Sequence, residues 1–242
     1  MGSSFGVISQ TGNNIQTEGL IFYIDPAYKK SYPESGTTCN GLINDIEGTL
    51  STSNIFENSN NGVFSFDATS DYIDMNSNSI FSGESTTDGF CISFWIKVTN
   101  VQSVVLLGNL DLTNEWFQIA IHAGSNGIYF YDHDSTQLIV KTGNNFKIEN
   151  AILNNWYNIS VVYKWGDTSN SFILVNGEDL TSTKASVSKT SITGACPLRI
   201  GRRGASTWPF HGKLGPIQIY NRALSVGDAL QNYQAQKGRF GL

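Results

Sequence analysis

Short apolar runs rich in β-branched and aromatic residues recur along most of this chain, each cut off by Gly, Asn, Ser or Asp. This rhythm constrains the fold more than any other feature. Runs of about five residues suit strands, are too short for stable helices, and are punctuated by residues that favour turns. Leu20-Ile21-Phe22-Tyr23-Ile24 stops at Asp25-Pro26, Val63 to Asp67 is followed by Tyr72-Ile73-Asp74, and Phe90 to Val98 is long and strongly β in composition. Val104 to Leu107, Trp116 to His122, Ile128 to Asp132, Trp156 to Lys164, Ser171 to Val175, Pro197 to Ile200 and Lys213 to Tyr220 continue the series. Asn126-Gly127 and Asn176-Gly177 supply tight hairpin turns, because both central residues of a type I′ turn need φ > 0. About ten to thirteen such segments, alternating inward and outward positions, predict an all-β, two-sheet antiparallel sandwich.

One helix is predicted, near the C-terminus. Ser225 with Asp228 three positions later forms a variant capping box, and Ala229, Leu230 and Tyr233 give a face for docking on the sandwich. Lys237-Gly238 suits a helix end, leaving residues 237–242 as a short apolar tail. Residues 1–17 are polar and lack clear periodicity, so they read as an arm or edge segment, with the sandwich itself over 18–236. No internal repeat or linker divides the 242 residues, which suits one domain.

Composition narrows the function classes. Charged residues are only 14% of the chain and the net charge is −5. The surface is therefore rich in amides and hydroxyls, and the positive field needed for nucleic acid is missing. No apolar run reaches the length of a membrane span, and the first residues show no secretory-signal pattern. Cys39, Cys91 and Cys196 are odd in number and widely spaced, which supports neither a disulfide frame nor a zinc site.

The order of segments resembles the concanavalin A-like, laminin G-like jelly-roll family. The resemblance is carried by Gly19 to Asp25, Ser31-Tyr32-Pro33 with Ser35 to Thr38, Phe64 to Asp67 with Asp71-Tyr72-Ile73, and Ile92 to Ile96. Trp156 to Ile159, Leu174 to Gly177, and the closing stretch from Phe210 to Leu214 and Ile219 to Ser225 continue it. The ending, Gln231-Asn232-Tyr233 through Lys237 to Leu242, and the Ser31 to Thr38 stretch are similar to laminin G-like proteins of tailed bacteriophages. What this implies is a virion surface protein assembled in the host cytoplasm, most simply a capsid decoration or head-fibre component. The alternative is a tail-fibre or receptor-binding adhesin recognising host surface carbohydrate. Implied partners are other virion proteins, host glycans and further copies of the chain, with a trimer the expected form. Many relatives carry an Asp in the closing motif where this chain has Gly215, which removes one ligand from any calcium site.

Three kinds of chemistry remain to be weighed. Asp25, Asp67, Asp71 and Asp74 are candidate ligands for a calcium ion, set against the plainer reading that Asp caps turns. Trp208, Phe210 and Arg202, together with Asp132 and His133, are candidate carbohydrate contacts, because sugars are held by aromatic faces and polar side chains. Catalysis is not expected. Paired carboxylates at glycosidase spacing are not evident, and His122, His133 and His211 sit beside no nucleophile motif. The reading is a non-enzymatic binding and covering domain with no cofactor.

Overall fold

The computed structural model describes residues 14–76, 88–100, 102–109, 117–122, 127–132, 137–142, 153–184, 198–203 and 208–242. In chain order the strands are β1 (Leu20–Ile24), β2 (Thr38–Asn40), β3 (Glu47–Leu50), β4 (Phe56–Glu57), β5 (Val63–Asp67), β6 (Ile73–Met75), β7 (Gly89–Val98), β8 (Val104–Asn109) and β9 (Phe117–His122). They continue with β10 (Gly127–Asp132), β11 (Gln137–Thr142), β12 (Trp156–Lys164), β13 (Phe172–Val175), β14 (Glu178–Asp179), β15 (Thr181–Lys184), β16 (Leu198–Ile200) and β17 (His211–Tyr220). One α-helix, α1 (Val226–Gln236), runs directly into a 3-10 turn over Lys237–Phe240.

Two antiparallel sheets result. The first has eight strands in the order β14-β13-β12-β7-β17-β5-β4, with β1 also paired to β17. The second has nine, ordered β15-β11-β10-β9-β8-β16-β6-β3-β2. Alternation explains how they meet. Phe90, Ile92, Phe94, Ile96 and Val98 of β7 face inward, and Phe117, Ile119 and Ile121 of β9 with Ile128 and Phe130 of β10 meet them from the other sheet. These residues are almost fully buried and form one continuous core, the main source of stability in a chain with so few charges.

The opposite face of the eight-stranded sheet is also covered. Cys91, Val162 and Tyr220 pack with Leu224 and Ala229, and Trp95 and Trp156 pack with Tyr233 and Phe240. Ser225 and Asp228 cap α1 reciprocally as the sequence predicts, and Ala229 and Tyr233 pack on the sheet as expected, but the rest of the buried face differs. Ala229, Asn232 and Ala235 are buried, while Leu230 is exposed. Asn232 reaches that position because its amide donates to the Tyr220 hydroxyl and its carbonyl accepts from the Gln16 backbone N–H.

Both chain ends are drawn onto this layer. Residues 14–17 lie along α1, where the Gln16 amide donates to Asp228 and Gln231, and the Gln231 amide donates to the Asn14 carbonyl. The rest of the proposed arm lies outside the described residues. The short apolar tail is itself packed against the sandwich. Phe240 stacks on Trp95 with ring centroids 4.1 Å apart, and Arg239 is held at Asp25.

Candidate ligand-binding face

With one side of the eight-stranded sheet on the core and the other under α1, the candidate surface is the face of the nine-stranded sheet turned away from the core, where Val105, Ala120, Tyr129 and Arg199 are buried and Trp208 is exposed. Strand register assembles it. Thr49 of β3 lies opposite Asp74 of β6, which lies opposite Arg199 of β16, and Arg199 lies opposite Gly108 of β8. Gly108 then pairs with Gln118 of β9, and Gln118 with Tyr131 of β10. Directly opposed residues share a face, so these six side-chain positions form one row across the sheet. A second row follows, in which Val105 pairs with Ala120 and Ala120 with Tyr129.

One end of the face is aromatic. His122 lies 4.7 Å from Tyr129 and 5.4 Å from Tyr131 between ring centroids, and the two tyrosines are stacked at 5.7 Å. Tyr131 Oη and His122 Nε2 share a 2.7 Å hydrogen bond. Burial holds the imidazole below its ordinary pKa and pushes the Tyr131 phenol up to about 12, so at neutral pH the pair is an uncharged surface with polar edges. The Trp208 ring stands edge-on to His122 at 5.4 Å and is 38% exposed.

Trp208 is held in an unusual backbone. Its φ is +54°, a left-handed conformation that a bulky side chain rarely adopts, and its carbonyl accepts from the Val105 N–H at 3.0 Å. Two residues on, the Phe210 N–H donates to the Gly201 carbonyl at 2.7 Å and the chain turns back into the core. This geometry separates two residues expected side by side. Phe210 is 1% exposed and packs on Phe66 inside the sandwich, so it cannot touch a ligand, whereas Trp208 is displayed.

The other end of the face carries guanidinium groups. Asp74 accepts from Arg199 Nε at 2.5 Å and from Nη2 at 2.6 Å. Tyr72 has Arg199 over its ring at 4.4 Å and Arg202 at 3.8 Å, while Arg203 sits 5.8 Å from the Trp208 ring. The two ends are thus linked through neighbouring residues of one segment.

The remaining sequence candidates fall elsewhere. Asp132 ends β10, with only its backbone described, and His133 lies outside the described residues. The four aspartates proposed for calcium are not gathered. Asp25 is occupied by Arg239, by the Tyr23 hydroxyl and by the Ala27 N–H, and Asp74 by Arg199. Asp67 caps Thr69 and Asp71 accepts from the Asp67 N–H, an Asp-capped turn of the plainer kind. Among the described residues no three His, Cys, Asp or Glu side chains come together as a metal-holding group. The sequence reading missed His122, Tyr129, Tyr131, Gln118, Arg199 and Tyr72 as parts of one surface. Alternation within β9 and β10 marks the first four as outward, but the arginines join them only through strand pairing.

Fold and face together define an antiparallel β-sandwich of lectin type, with an aromatic and guanidinium surface on one sheet. Residues 67–229 match the family described as the concanavalin A-like lectin/glucanases superfamily, and the chain belongs to it. No curated protein sequence matches this chain. Among solved structures it is similar to Trypanosoma rangeli sialidase in complex with the inhibitor DANA, with 13% identity and a TM-score of 0.68 over 97% of this chain and 36% of that one. It thus spans about a third of the sialidase. Domain 4 of AbnA, an extracellular GH43 arabinanase from Geobacillus stearothermophilus solved with arabinotriose, is 13% identical with a TM-score of 0.63, covering 90% of this chain and all 100% of that domain. The receptor-binding domain of a botulinum neurotoxin C/D mosaic serotype gives 12% identity and a TM-score of 0.66, over 90% of this chain and 51% of that one. At such identities these likenesses concern the fold.

Proposed function

We propose that this chain is a non-catalytic carbohydrate-binding domain that holds glycans on the outward face of its nine-stranded sheet. The observation that carries the reading is Trp208. A tryptophan fixed in a left-handed backbone, half-exposed and braced edge-on by His122, is a rigid aromatic surface set up before a ligand arrives. Tyr131 and His122 supply polar edges beside it. The arabinanase domain of the same fold, solved with arabinotriose, supports a carbohydrate as the ligand.

Binding without turnover is favoured by the carboxylate count. Glycoside hydrolysis generally takes two carboxyl groups flanking the bond, about 5–9.5 Å apart. The row of paired positions from Thr49 to Tyr131 contains a single carboxylate, Asp74, and both of its oxygens are engaged by Arg199. The test is titration calorimetry against a panel of neutral and acidic oligosaccharides. Trp208→Ala is expected to weaken binding by about 2 kcal/mol, or roughly thirtyfold, at an unchanged melting temperature. Undiminished binding by a Trp208→Ala/His122→Ala double variant, or release of reducing sugar by the wild type, would overturn the reading.

The place of action is proposed as the surface of a tailed-phage virion, on capsid or tail, supported by the sequence resemblance of Ser31 to Thr38 and of Gln231 to Leu242. Other virion proteins and a cyclic set of identical copies are the partners this implies. Electron microscopy of particles labelled with antibody to this chain is expected to show discrete surface decoration. Bare particles would end the virion reading and leave the carbohydrate reading intact.

A further inference from the structure

Arg202 is the most unusual cation in the molecule. Its guanidinium lies 3.8 Å from the centre of the Tyr72 ring, where Arg199 also sits at 4.4 Å. Arg199 has both oxygens of Asp74, whereas Arg202 makes no ion pair or hydrogen bond with any described residue, and its Nε is buried without a partner. A buried donor left unsatisfied is costly, and the half-buried guanidinium has a second cation beside it. Burial, and then the like charge of Arg199, pull the Arg202 guanidinium below its ordinary pKa. Arg203, the next residue, leans toward Trp208. Arg199, Arg202 and Arg203 thus lie along one segment of this face, in a chain whose overall charge is −5. General surface composition does not account for that concentration, nor for a guanidinium edge held without an acceptor.

We infer that Arg202, on its Tyr72 platform beside Arg199, forms a subsite for a single anionic group, a carboxylate or sulfate, carried by a sugar whose ring stacks on Trp208. The inference deepens the proposed carbohydrate reading and depends on it, because Trp208 sets where the ring sits. A guanidinium matches a carboxylate or sulfate by paired N–H donors, which lysine cannot reproduce, so the choice of residue fits the ligand. Asp74 keeps Arg199 oriented, and an arriving anion meets the terminal Nη groups of Arg202, whose Nε stays buried. The fold would then select acidic polysaccharides over neutral ones of the same linkage.

Matched pairs test this: oligogalacturonate with its methyl ester, sialylated with asialo oligosaccharides, and a sulfated glycan with its desulfated form, together with inorganic sulfate alone. The acidic member of at least one pair is expected to bind roughly tenfold more tightly than its neutral partner, with that preference shrinking as salt rises. Arg202→Gln is expected to abolish the preference while neutral binding changes less than about twofold, and Arg202→Lys to restore it only in part. Equal affinity for both members of every pair, or a preference that survives in Arg202→Gln, would overturn the anion subsite while glycan binding itself stands. Failure of every glycan to bind would overturn both readings. Binding of inorganic sulfate as tight as that of the sulfated glycan would show a simple ion site and remove the sugar from the inference.

Discussion

Gly215 stands where Phe240 crosses β17. A Cβ built there would lie 2.8 Å from the Phe240 ring and 3.0 Å from the Trp95 Cβ, closer than packed atoms come. The space beside Gly215 is thus filled by an aromatic ring from near the C-terminus, and the glycine is required by that ring. Gly215→Ala is expected to destabilise by about 1–3 kcal/mol through overpacking, and Phe240→Ala by about 3 kcal/mol through the cavity left against Trp95 and Trp156. Because the two residues touch, the double variant should lose clearly less than the sum, which urea unfolding of all four proteins would measure. Full additivity would mean that the ring moves away from Gly215 in solution. Trp208 and Phe210 make a related point. Both are candidate sugar contacts in sequence, and only the left-handed turn at Trp208, followed by the return to Gly201, sends one outward and the other into the core.

Among the elements, those that span the core were legible and those at the sheet margins were not. β7, β9, β10, β12, β13 and β17 are apolar enough, and long enough, for alternation to declare them. The Asn176-Gly177 turn likewise takes positive φ at both residues, as the pair predicts. β2, β3, β4, β11, β14 and β15 escaped the sequence reading. β14, for example, is Glu178-Asp179, fully exposed and two residues long, and becomes a strand only because β13 offers a hydrogen-bonding edge. The capping box of α1 was readable because it is local, four residues deep. The face that α1 buries was not. Asn232 is drawn inward by Tyr220 and Gln16, partners remote in sequence, at the expense of the apolar Leu230.

At the scale of the whole molecule, one arginine near the C-terminus fastens the first strand and the turn before β5 to it. Arg239 Nη1 donates to both oxygens of Asp25 at 2.8 Å, its Nε donates to the Asn60 carbonyl at 2.6 Å, and Nη2 donates to the Gly62 carbonyl. The Asn60 side chain answers by donating to the Arg239 carbonyl and accepting from the Trp156 indole. Asp25 is 2% exposed, so removing its cation would leave a buried, uncompensated charge. Arg239→Met is expected to cost about 3–5 kcal/mol, whereas Arg239→Met combined with Asp25→Asn should recover part of that loss, read from denaturation midpoints. Equal stability of Arg239→Met and wild type would show that water replaces the guanidinium at no cost. With α1 and the 3-10 turn so fastened, the eight-stranded sheet is covered on the side away from the core.

Sequence by itself determined the material of the fold: which of the longer apolar segments become strands, that two sheets must share one core, where α1 starts, and that the surface would be neutral and polar. Those properties follow from local periodicity and composition, which act within a few residues. Tertiary structure decided the rest. Register placed Asp74, Arg199, Gln118 and Tyr131 in one row, and the α1 layer closed the competing face. Arg202 was likewise set on Tyr72 by strand pairing. Strand pairing and layer packing join residues far apart in the chain, so no local pattern encodes them.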